Sequence, residues 1–240
     1  MTTSTYDTFA PFYDAVMGDR AQHATYIRSL ITKHAPRAKR VLELACGTGS
    51  VLARLAPHYE VAGVDRSRAM LEIAAKKLPD ARLVEADMTR VELGEQFDVV
   101  LCAFDSINHL VRWRDWEAVF RRAREHLTDA GIFVFDINTE HRLAEFPEGP
   151  PLLEWFGDGN LVTMVIDRAP RGGVIWQINV FERVADSMYR LHREDIREVS
   201  FPAERIRAAL RRRFARTWTY DAQRARPSTR SGRLHFVCRV

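Results

Sequence analysis

The sequence predicts an α/β fold built on a largely parallel sheet, and three observations indicate it. An apolar run at residues 41–44 leads into a turn containing Gly47 and Gly49, and helical spacing resumes at Ser50. Further short apolar runs follow to about residue 137, and helical segments alternate with them. This alternation is typical of strands that pair in parallel through helical crossovers.

The individual elements follow in a regular order. Helices are expected over 22–33, 50–55, 67–77 and 116–127, and strands over 41–44, 59–64, 82–86, 97–103 and 131–136, the last one after a turn at 128–131. The run 97–103 is apolar almost without interruption, as expected of a central parallel strand that is buried on both faces.

The pattern changes after residue 138. Residues 161–166, 174–181 and 189–199 form short β-type runs broken by turn signals, which predicts an antiparallel layer. A helix is then expected over 202–213, and strands over 214–220 and 234–240. Ligands of such folds lie outside the carboxyl ends of the strands. We therefore expect residues 1–139 and 200–240 to form the ligand-binding domain, with residues 1–35 as an N-terminal arm and helix, and residues 140–199 to form an inserted β-rich lid.

The glycine turn indicates the kind of ligand. A phosphate-binding P-loop needs a lysine after its last glycine, and none follows Gly49. A dinucleotide fingerprint needs a third glycine where Leu52 stands. Glu43 adds a negative charge just below the turn. The turn therefore suits a cationic nucleoside better than a pyrophosphate.

Four segments in this order resemble the motifs of one family. Residues 43–49 (ELACGTG), 61–65 (VAGVD), 83–88 (LVEADM) and 97–105 (FDVVLCAFD) are similar to those of the class I S-adenosylmethionine-dependent methyltransferases. The resemblance covers about residues 41–137. It implies a Rossmann-like seven-stranded sheet with a C-terminal antiparallel hairpin, and S-adenosyl-L-methionine as cofactor with S-adenosyl-L-homocysteine as product.

The resemblance also implies which residues hold the cofactor. Asp65 follows the second strand, where a carboxylate accepts hydrogen bonds from both ribose hydroxyls, although it could also cap the next helix. Asp87 and Met88 match the adenine contact of the family. The full set of expected cofactor residues is Tyr6, Tyr13, Glu43, Ala45, Gly47, Gly49, Asp65, Arg66, Met70, Asp87, Met88 and Phe104.

An aromatic arm precedes the nucleotide-binding part of the chain. Its pattern, Tyr6-Asp-x-Phe-Ala-x-x-Tyr13-Asp, resembles the arm of small-molecule methyltransferases, aminosugar N-methyltransferases among them. Two interpretations stand: a helix whose apolar face packs on the sheet, or a flap whose aromatic rings cover the cofactor and attract its cationic group. The resemblance favours the flap.

Methyl transfer depends mainly on positioning, which can contribute roughly 7–11 kcal/mol, and a general base adds to the rate only where the acceptor must lose a proton. His109 is the first candidate for such a base, and Tyr6 and Tyr13 follow; His109 could instead pack on the helix near residue 116. His192, Glu194 and Asp195 in the insertion could orient an acceptor.

The predicted function is methyl transfer to a small molecule, with nitrogen preferred over oxygen. Residues 104–107 contain no proline, which argues against the class that methylates exocyclic amines of bases. Alternatives are an RNA methyltransferase that uses the basic C-terminal region, a protein that binds S-adenosylmethionine without catalysis, and an NAD-type reductase, which Leu52 disfavours. A metal-assisted O-methyltransferase is a further alternative, with Asp105, Asp136 and Asn138 as oxygen ligands.

Composition sets the remaining expectations. No apolar run is long enough to span a bilayer, and the N-terminus lacks a basic region followed by an apolar one, so a cytoplasmic protein without a membrane partner is expected. Cys46, Cys102 and Cys238 form no CxxC pattern, and no metal ligands are assigned. Residues 201–240 hold eleven arginines and two acidic residues. They fit solvated helix and strand faces better than a nucleic-acid surface. A monomer or homodimer is expected.

Overall fold

The computed structural model describes residues 6–240, so the part of the predicted arm before Tyr6 lies outside the described residues. Two sheets make up the architecture. The larger has seven strands, and the smaller has four antiparallel strands. The predicted fold class is thereby confirmed, including the antiparallel pair at the C-terminus.

The helices are α1 (Ala10–Met17), α2 (Ala21–His34), α3 (Ser50–Leu55), α4 (Arg68–Lys77), α5 (Trp113–Glu125), α6 (Glu140–Glu145) and α7 (Ala203–Arg211). The strands are β1 (Arg40–Leu44), β2 (Glu60–Asp65), β3 (Arg82–Glu85), β4 (Phe97–Cys102), β5 (Leu127–Asn138), β6 (Leu152–Phe156), β7 (Asn160–Arg168), β8 (Val174–Ala185), β9 (Met188–Glu198), β10 (Arg216–Tyr220) and β11 (Arg233–Arg239). Short 3₁₀ turns lie at Ser106–His109 and Phe146–Glu148. Among residues 6–240, no helix is both long and apolar enough to cross a bilayer.

The main sheet has the order β10-β11-β5-β4-β1-β2-β3. Strands β1 to β5 pair in parallel, whereas β11 runs antiparallel to both β5 and β10. One face packs on α5 and α7 through residues such as Trp116 and Ile206. The other packs on α2 and α3 through Ile31 and Leu52. Because the parallel strands are covered on both faces, their apolar runs are nearly continuous.

Strand β5 differs from the prediction. The expected turn at 128–131 is wrong, because β5 begins at Leu127 and continues through these residues. Its pairing with β4 shifts in register between Phe97 and Val99, so the extra residues are absorbed as an irregularity within the strand. A Cβ atom on Gly131 would lie 2.8 Å from the Leu127 side chain, which explains why glycine stands there.

The four-stranded sheet has the order β6-β7-β8-β9 and follows β5 and α6 in the chain. Strands β7, β8 and β9 correspond to the predicted runs, whereas α6 and β6 were not predicted. One face buries Val162, Val180 and Ile196 against Phe9 and Phe12 of the N-terminal arm. The arm therefore packs mainly on this second sheet with its phenylalanines.

A buried polar junction joins the two sheets. Asn108 donates from Nδ2 to the backbone carbonyl oxygens of Asn138 (2.9 Å) and Val199 (2.8 Å). The backbone carbonyl oxygen of Asn108 accepts from the Val199 N–H. Asn138 also donates to the Glu198 carboxyl at 3.2 Å. Burial, and then the negative charge of Asp105, raises the pKa of Glu198 to about 8. The carboxyl at this junction is therefore largely protonated at neutral pH.

We predict that Glu198→Gln makes the protein less sensitive to alkaline pH. The raised pKa of Glu198 stabilises the folded state fully below the unfolded-state pKa of about 4.3, and this contribution is lost as the pH rises through about 8. The melting temperature of the wild type should therefore fall more between pH 5 and pH 9 than that of the glutamine variant, by at least ~2 °C. Thermal unfolding followed by circular dichroism measures this. Exposed Glu154→Gln is the control, and parallel pH profiles for all three proteins would contradict the prediction.

Candidate active site

A cavity of about 940 Å³ opens at the carboxyl ends of the parallel strands, between the main sheet and the four-stranded sheet. The main domain contributes the loops after β1, β2, β3 and β4, and the arm and the second sheet contribute the remaining wall. The lining residues are Tyr6, Tyr13, Ala45, Gly47, Asp65, Arg66, Met70, Ala86, Asp87, Met88, Phe104, Ser106, His109, Leu110, Val111, Pro170, Arg171, Ile175, Asp195, Ile196 and Arg197.

Most of the expected cofactor residues meet in this cavity. Those on its wall are Tyr6, Tyr13, Ala45, Gly47, Asp65, Arg66, Met70, Asp87, Met88 and Phe104. His109, the candidate base, also lies on the wall. Glu43 and Gly49 do not.

Gly49 acts on the turn from outside the cavity. It is the N-cap of α3 in the left-handed region, with φ +72°. A Cβ atom there would lie 3.0 Å from the Leu78 side chain and 3.1 Å from that of Ala74. Gly49 therefore allows the turn to pack against α4, and it does not line the cavity.

Glu43 lies below the turn, 2% exposed, and its Oε2 has no hydrogen-bond partner among residues 6–240. Burial, followed by the charges of Asp65 and Asp136, raises its pKa well above the usual range. Glu43 does not line the cavity. The raised pKa weakens the negative charge on which the electrostatic argument against phosphate relies.

Asp65 ends β2 and is held by the glycine turn. Its Oδ2 accepts from the Gly47 N–H and its Oδ1 from the Ser67 N–H, both at 2.8 Å. A carboxylate has about four acceptor positions, so each oxygen keeps a lone pair for a ligand. Ser67, and not Asp65, caps α4 with its side chain. Burial raises the pKa of Asp65 despite these backbone donors.

Side-chain bonds hold the arm across the turn. Asp14 Oδ1 accepts from the hydroxyls of Thr48 (2.7 Å) and Ser50 (2.9 Å), and Lys77 Nζ lies 2.6 Å from the other oxygen. Nearer the start, Asp7 accepts from the Ser67 hydroxyl at 2.6 Å. The arm thus crosses the first two strand ends while its phenylalanines pack on the second sheet rather than on the main sheet. That its tyrosines cover the cofactor stays a prediction.

Tyr6, Tyr13 and His109 form an aromatic group on the cavity wall. The Tyr6 hydroxyl and His109 Nε2 are 3.1 Å apart, and the rings of Tyr6 and Tyr13 meet edge to face at 6.0 Å. Burial lowers the pKa of His109 to about 4 and raises that of Tyr13 to about 12. All three side chains are therefore neutral at neutral pH.

The loop after β4 carries Phe104 to the cavity in an uncommon backbone conformation. Phe104 (φ +60°) and Asp105 (φ +50°) are consecutive non-glycine residues in the left-handed region, which costs roughly 1–2 kcal/mol each. Asp136 offsets this cost, because Oδ1 accepts from the Phe104 N–H (2.7 Å) and Oδ2 from the Asp105 N–H (3.1 Å). Arg233 forms ion pairs with the carboxylates of Asp105 and Asp136. Against the effect of burial, Arg233 and nearby histidines hold the pKa of Asp136 below its usual range.

The oxygen cluster considered for a metal-assisted reaction is organised by an arginine. Asp105, Asp136 and Asn138 do converge, and the guanidinium of Arg233 bonds to all three side chains. The positive charge among these oxygens is thus supplied by the chain itself. Sequence reasoning missed Arg233, since nothing in the basic C-terminal region distinguishes it from its neighbours.

The far end of the cavity is built by the second sheet. Arg171, from the hairpin between β7 and β8, and Asp195 and Arg197 of β9 line it. His192 and Glu194 do not line it: His192 bonds Glu182 at 2.9 Å, and Glu194 accepts from Thr8 of the arm. The two arginines were not predicted, although the alternation along β9 puts Asp195 and Arg197 on the same face.

The comparisons with known proteins agree with this geometry. Residues 41–131 match the family described as a methyltransferase domain. A curated relative from Streptomyces fradiae, dTDP-3-amino-3,6-dideoxy-alpha-D-glucopyranose N,N-dimethyltransferase, is 36% identical over 119 residues, which are 49% of this chain and 47% of that protein. The chain thus spans about half the length of this relative.

Solved structures match over almost the whole chain. The sugar N-methyltransferase KedS8 from Streptoalloteichus is 27% identical, with a TM-score of 0.79 over 100% of this chain and 95% of that one. An S-adenosylmethionine-dependent methyltransferase from Clostridium acetobutylicum has a TM-score of 0.83 at 22% identity, over 99% of both chains, and supports the fold. Over residues 41–131 the chain is therefore similar to a methyltransferase domain, and its fold is that of solved S-adenosylmethionine-dependent methyltransferases.

Proposed function

We propose that this protein transfers a methyl group from S-adenosylmethionine to an amine of a small, sugar-like acceptor. The observation that carries the proposal is the continuous cavity, in which the part around Asp65 opens directly onto a mainly apolar part under the second sheet that also carries charged side chains. Its volume of about 940 Å³ lies at the upper end of the usual 300–1,000 Å³ for ligand pockets. It has room for a cofactor and a second small molecule.

The residues present fit S-adenosylmethionine. Asp65 keeps two acceptor positions for ribose hydroxyls, and Asp87 is fixed by bonds from the Thr89 N–H and hydroxyl, both 2.7 Å. A Cβ atom at Gly47 would meet nothing within 4 Å, so the turn leaves open space on the cavity side. The orphaned carboxyl of Glu43 beneath the turn suits a cationic ligand better than phosphate.

The cofactor, when bound, supplies a methyl group activated by a sulfonium. Asp65 and Asp87 orient the nucleoside, Met88 offers an apolar surface to its base, and Tyr6 and Tyr13 close over it from the arm. The tyrosine rings exclude water and present faces that attract a cation. His109, neutral and bonded to Tyr6, orients the acceptor amine. A methyl acceptor that arrives as a free amine needs no strong base.

The acceptor pocket supports a polar small molecule. Arg171, Asp195 and Arg197 present both signs of charge around apolar Ile175 and Ile196. We propose that the second sheet, residues 140–199, acts as the lid that selects the acceptor. The relatives named as N-methyltransferases of amino sugars support nitrogen as the methylated atom.

The C-terminal arginines give little support to the RNA alternative. Arg207 and Arg212 pair with Glu204 and Glu117. Arg205 packs 4.4 Å over the Trp113 ring, and Arg233 forms ion pairs with Asp105 and Asp136. These side chains are engaged within the fold rather than gathered on one free face.

We predict that Asp65→Ala weakens binding of S-adenosylhomocysteine more than tenfold. Hydrogen bonds to a charged group contribute about 1.5–3 kcal/mol each, and two are lost with the carboxylate. Titration calorimetry measures the affinity, and the exposed Asp80→Ala is the matched control. Circular dichroism at the same temperature establishes that both variants are folded. Unchanged affinity in a folded Asp65→Ala variant would remove the ribose assignment.

A second prediction concerns pH. The pKa of His109 lies near 4, so this residue does not titrate near neutral pH. Any rise of kcat/KM with pH near neutrality should therefore report the pKa of the acceptor amine. The midpoint of that rise should move when the acceptor is exchanged for one with a different amine pKa. His109→Gln should lower kcat/KM without moving this midpoint. The measurement uses a panel of amino sugars and their nucleotide-linked forms, with S-adenosylhomocysteine release as readout.

A limb fixed near pH 6.5 for every acceptor, and lost in His109→Gln, would instead identify His109 as a general base with an ordinary pKa. Intact cofactor binding with no turnover on any acceptor of the panel would favour a binding protein over an enzyme.

A further inference from the structure

Three potential metal ligands converge behind Phe104, outside the cavity wall. Asp136 of β5 and His235 of β11 are direct cross-strand partners, and α2 places His23 beside them. Each side chain offers one ligand atom, and the three atoms lie within 4.8 Å of one another. Two strands and a helix thus bring together residues that are 99 to 212 positions apart in sequence.

The histidines lack the partners that buried imidazoles usually have. His235 is 2% exposed, and neither of its ring nitrogens has a hydrogen-bond partner among residues 6–240. The His23 Nε2 lies 3.4 Å from Asp136 Oδ1 but makes no hydrogen bond. An unsatisfied buried polar group costs about 1–3 kcal/mol, and native proteins leave few of them. One nitrogen from each histidine lies within 4.8 Å of an Asp136 oxygen, and this arrangement points to something that fills the space between them.

The charges leave a place for a cation. Arg233 bonds to Oδ2 of Asp136, whereas Oδ1 faces His23, so the arginine and an ion would use different oxygens. The charge of Arg233 is also balanced by Asp105. Asp221 adds a negative charge near His235, and its Oδ2 lies 3.8 Å from Nε of Arg224.

We propose that His23, Asp136 and His235 bind a divalent transition-metal ion, with Zn²⁺ as the first choice. Two imidazoles and one carboxylate are the ligand set of open zinc sites and of non-haem iron sites, and they do not suit Mg²⁺ or Ca²⁺, which take oxygen ligands. Ligand atoms of a tetrahedral zinc site are about 3.3 Å apart, given bonds of ~2.0 Å. The 3.4 Å between His23 and Asp136 already meets this distance. Rotation of the His235 ring closes the set, and water completes the coordination.

The site is connected to the cofactor cavity through Phe104. The ring of His23 meets that of Phe104 edge to face at 5.1 Å, and Asp136 Oδ1 accepts from the Phe104 N–H. A bound ion therefore holds His23 and Asp136 in place, and both of these residues contact Phe104. Its role here is structural, since the ligand atoms do not line the cavity.

The test uses the full-length protein after treatment with a chelator. Calorimetric titration with Zn²⁺, and with Co²⁺ followed by its visible absorption, should give one saturable site per chain. His235→Phe and His23→Gln should each weaken Zn²⁺ binding at least tenfold, whereas the exposed His58→Gln should not. A rise in melting temperature with Zn²⁺ should disappear in the same two variants.

The result is independent of methyl transfer, because metal binding is measured without cofactor or acceptor. Absence of saturable binding to the wild type overturns the proposal. So does equal affinity in folded His23→Gln, whose partly exposed side chain makes misfolding a small risk, or a thiolate-type Co²⁺ spectrum, which would assign the ion to a cysteine.

Discussion

The site depends on one buried carboxylate. Asp136 accepts the backbone N–H groups of Phe104 and Asp105 and pairs with Arg233. Two consecutive left-handed residues without glycine are unstable in isolation, so their conformation persists only where the surroundings determine it. Phe104 and His109 reach the cavity from this loop. Their positions therefore depend on Asp136 of strand β5 and on Arg233 near the end of the chain.

The N-terminal arm extends this dependence to the second sheet. Phe9 and Phe12 are buried against β7 to β9, while Asp14 is tied to Thr48 and Ser50 at the glycine turn. The arm can leave the cavity only by exposing this apolar cluster or by moving with the sheet. The second sheet also lines the cavity, so the arm and this sheet share one apolar cluster as well as one cavity wall.

The fold, and the meeting of Gly47 and Asp65 at one cavity, could be predicted because their signals are local. The turn at Gly47 and Asp65 at the end of β2 are read from short segments whose neighbours in sequence are also neighbours in space. Arg233 could not be found in this way, since its partner Asp136 lies 97 positions away and ten other arginines surround it in residues 201–240. The predicted turn at 128–131 was wrong for the opposite reason, because pairing of β5 within the sheet overrides a local turn preference.

Glu43 changes how ligand preference at the turn should be understood. Burial and the charges of Asp65 and Asp136 raise the pKa of this carboxyl, so less of its negative charge opposes a phosphate. The missing lysine after Gly49, and Leu52 in place of the third glycine of a dinucleotide fingerprint, therefore carry more of the preference against a pyrophosphate. A cation placed near the turn would favour the ionised carboxyl and lower its pKa. Glu43 would then attract a cationic ligand without keeping an unpaired charge buried in the absence of that ligand.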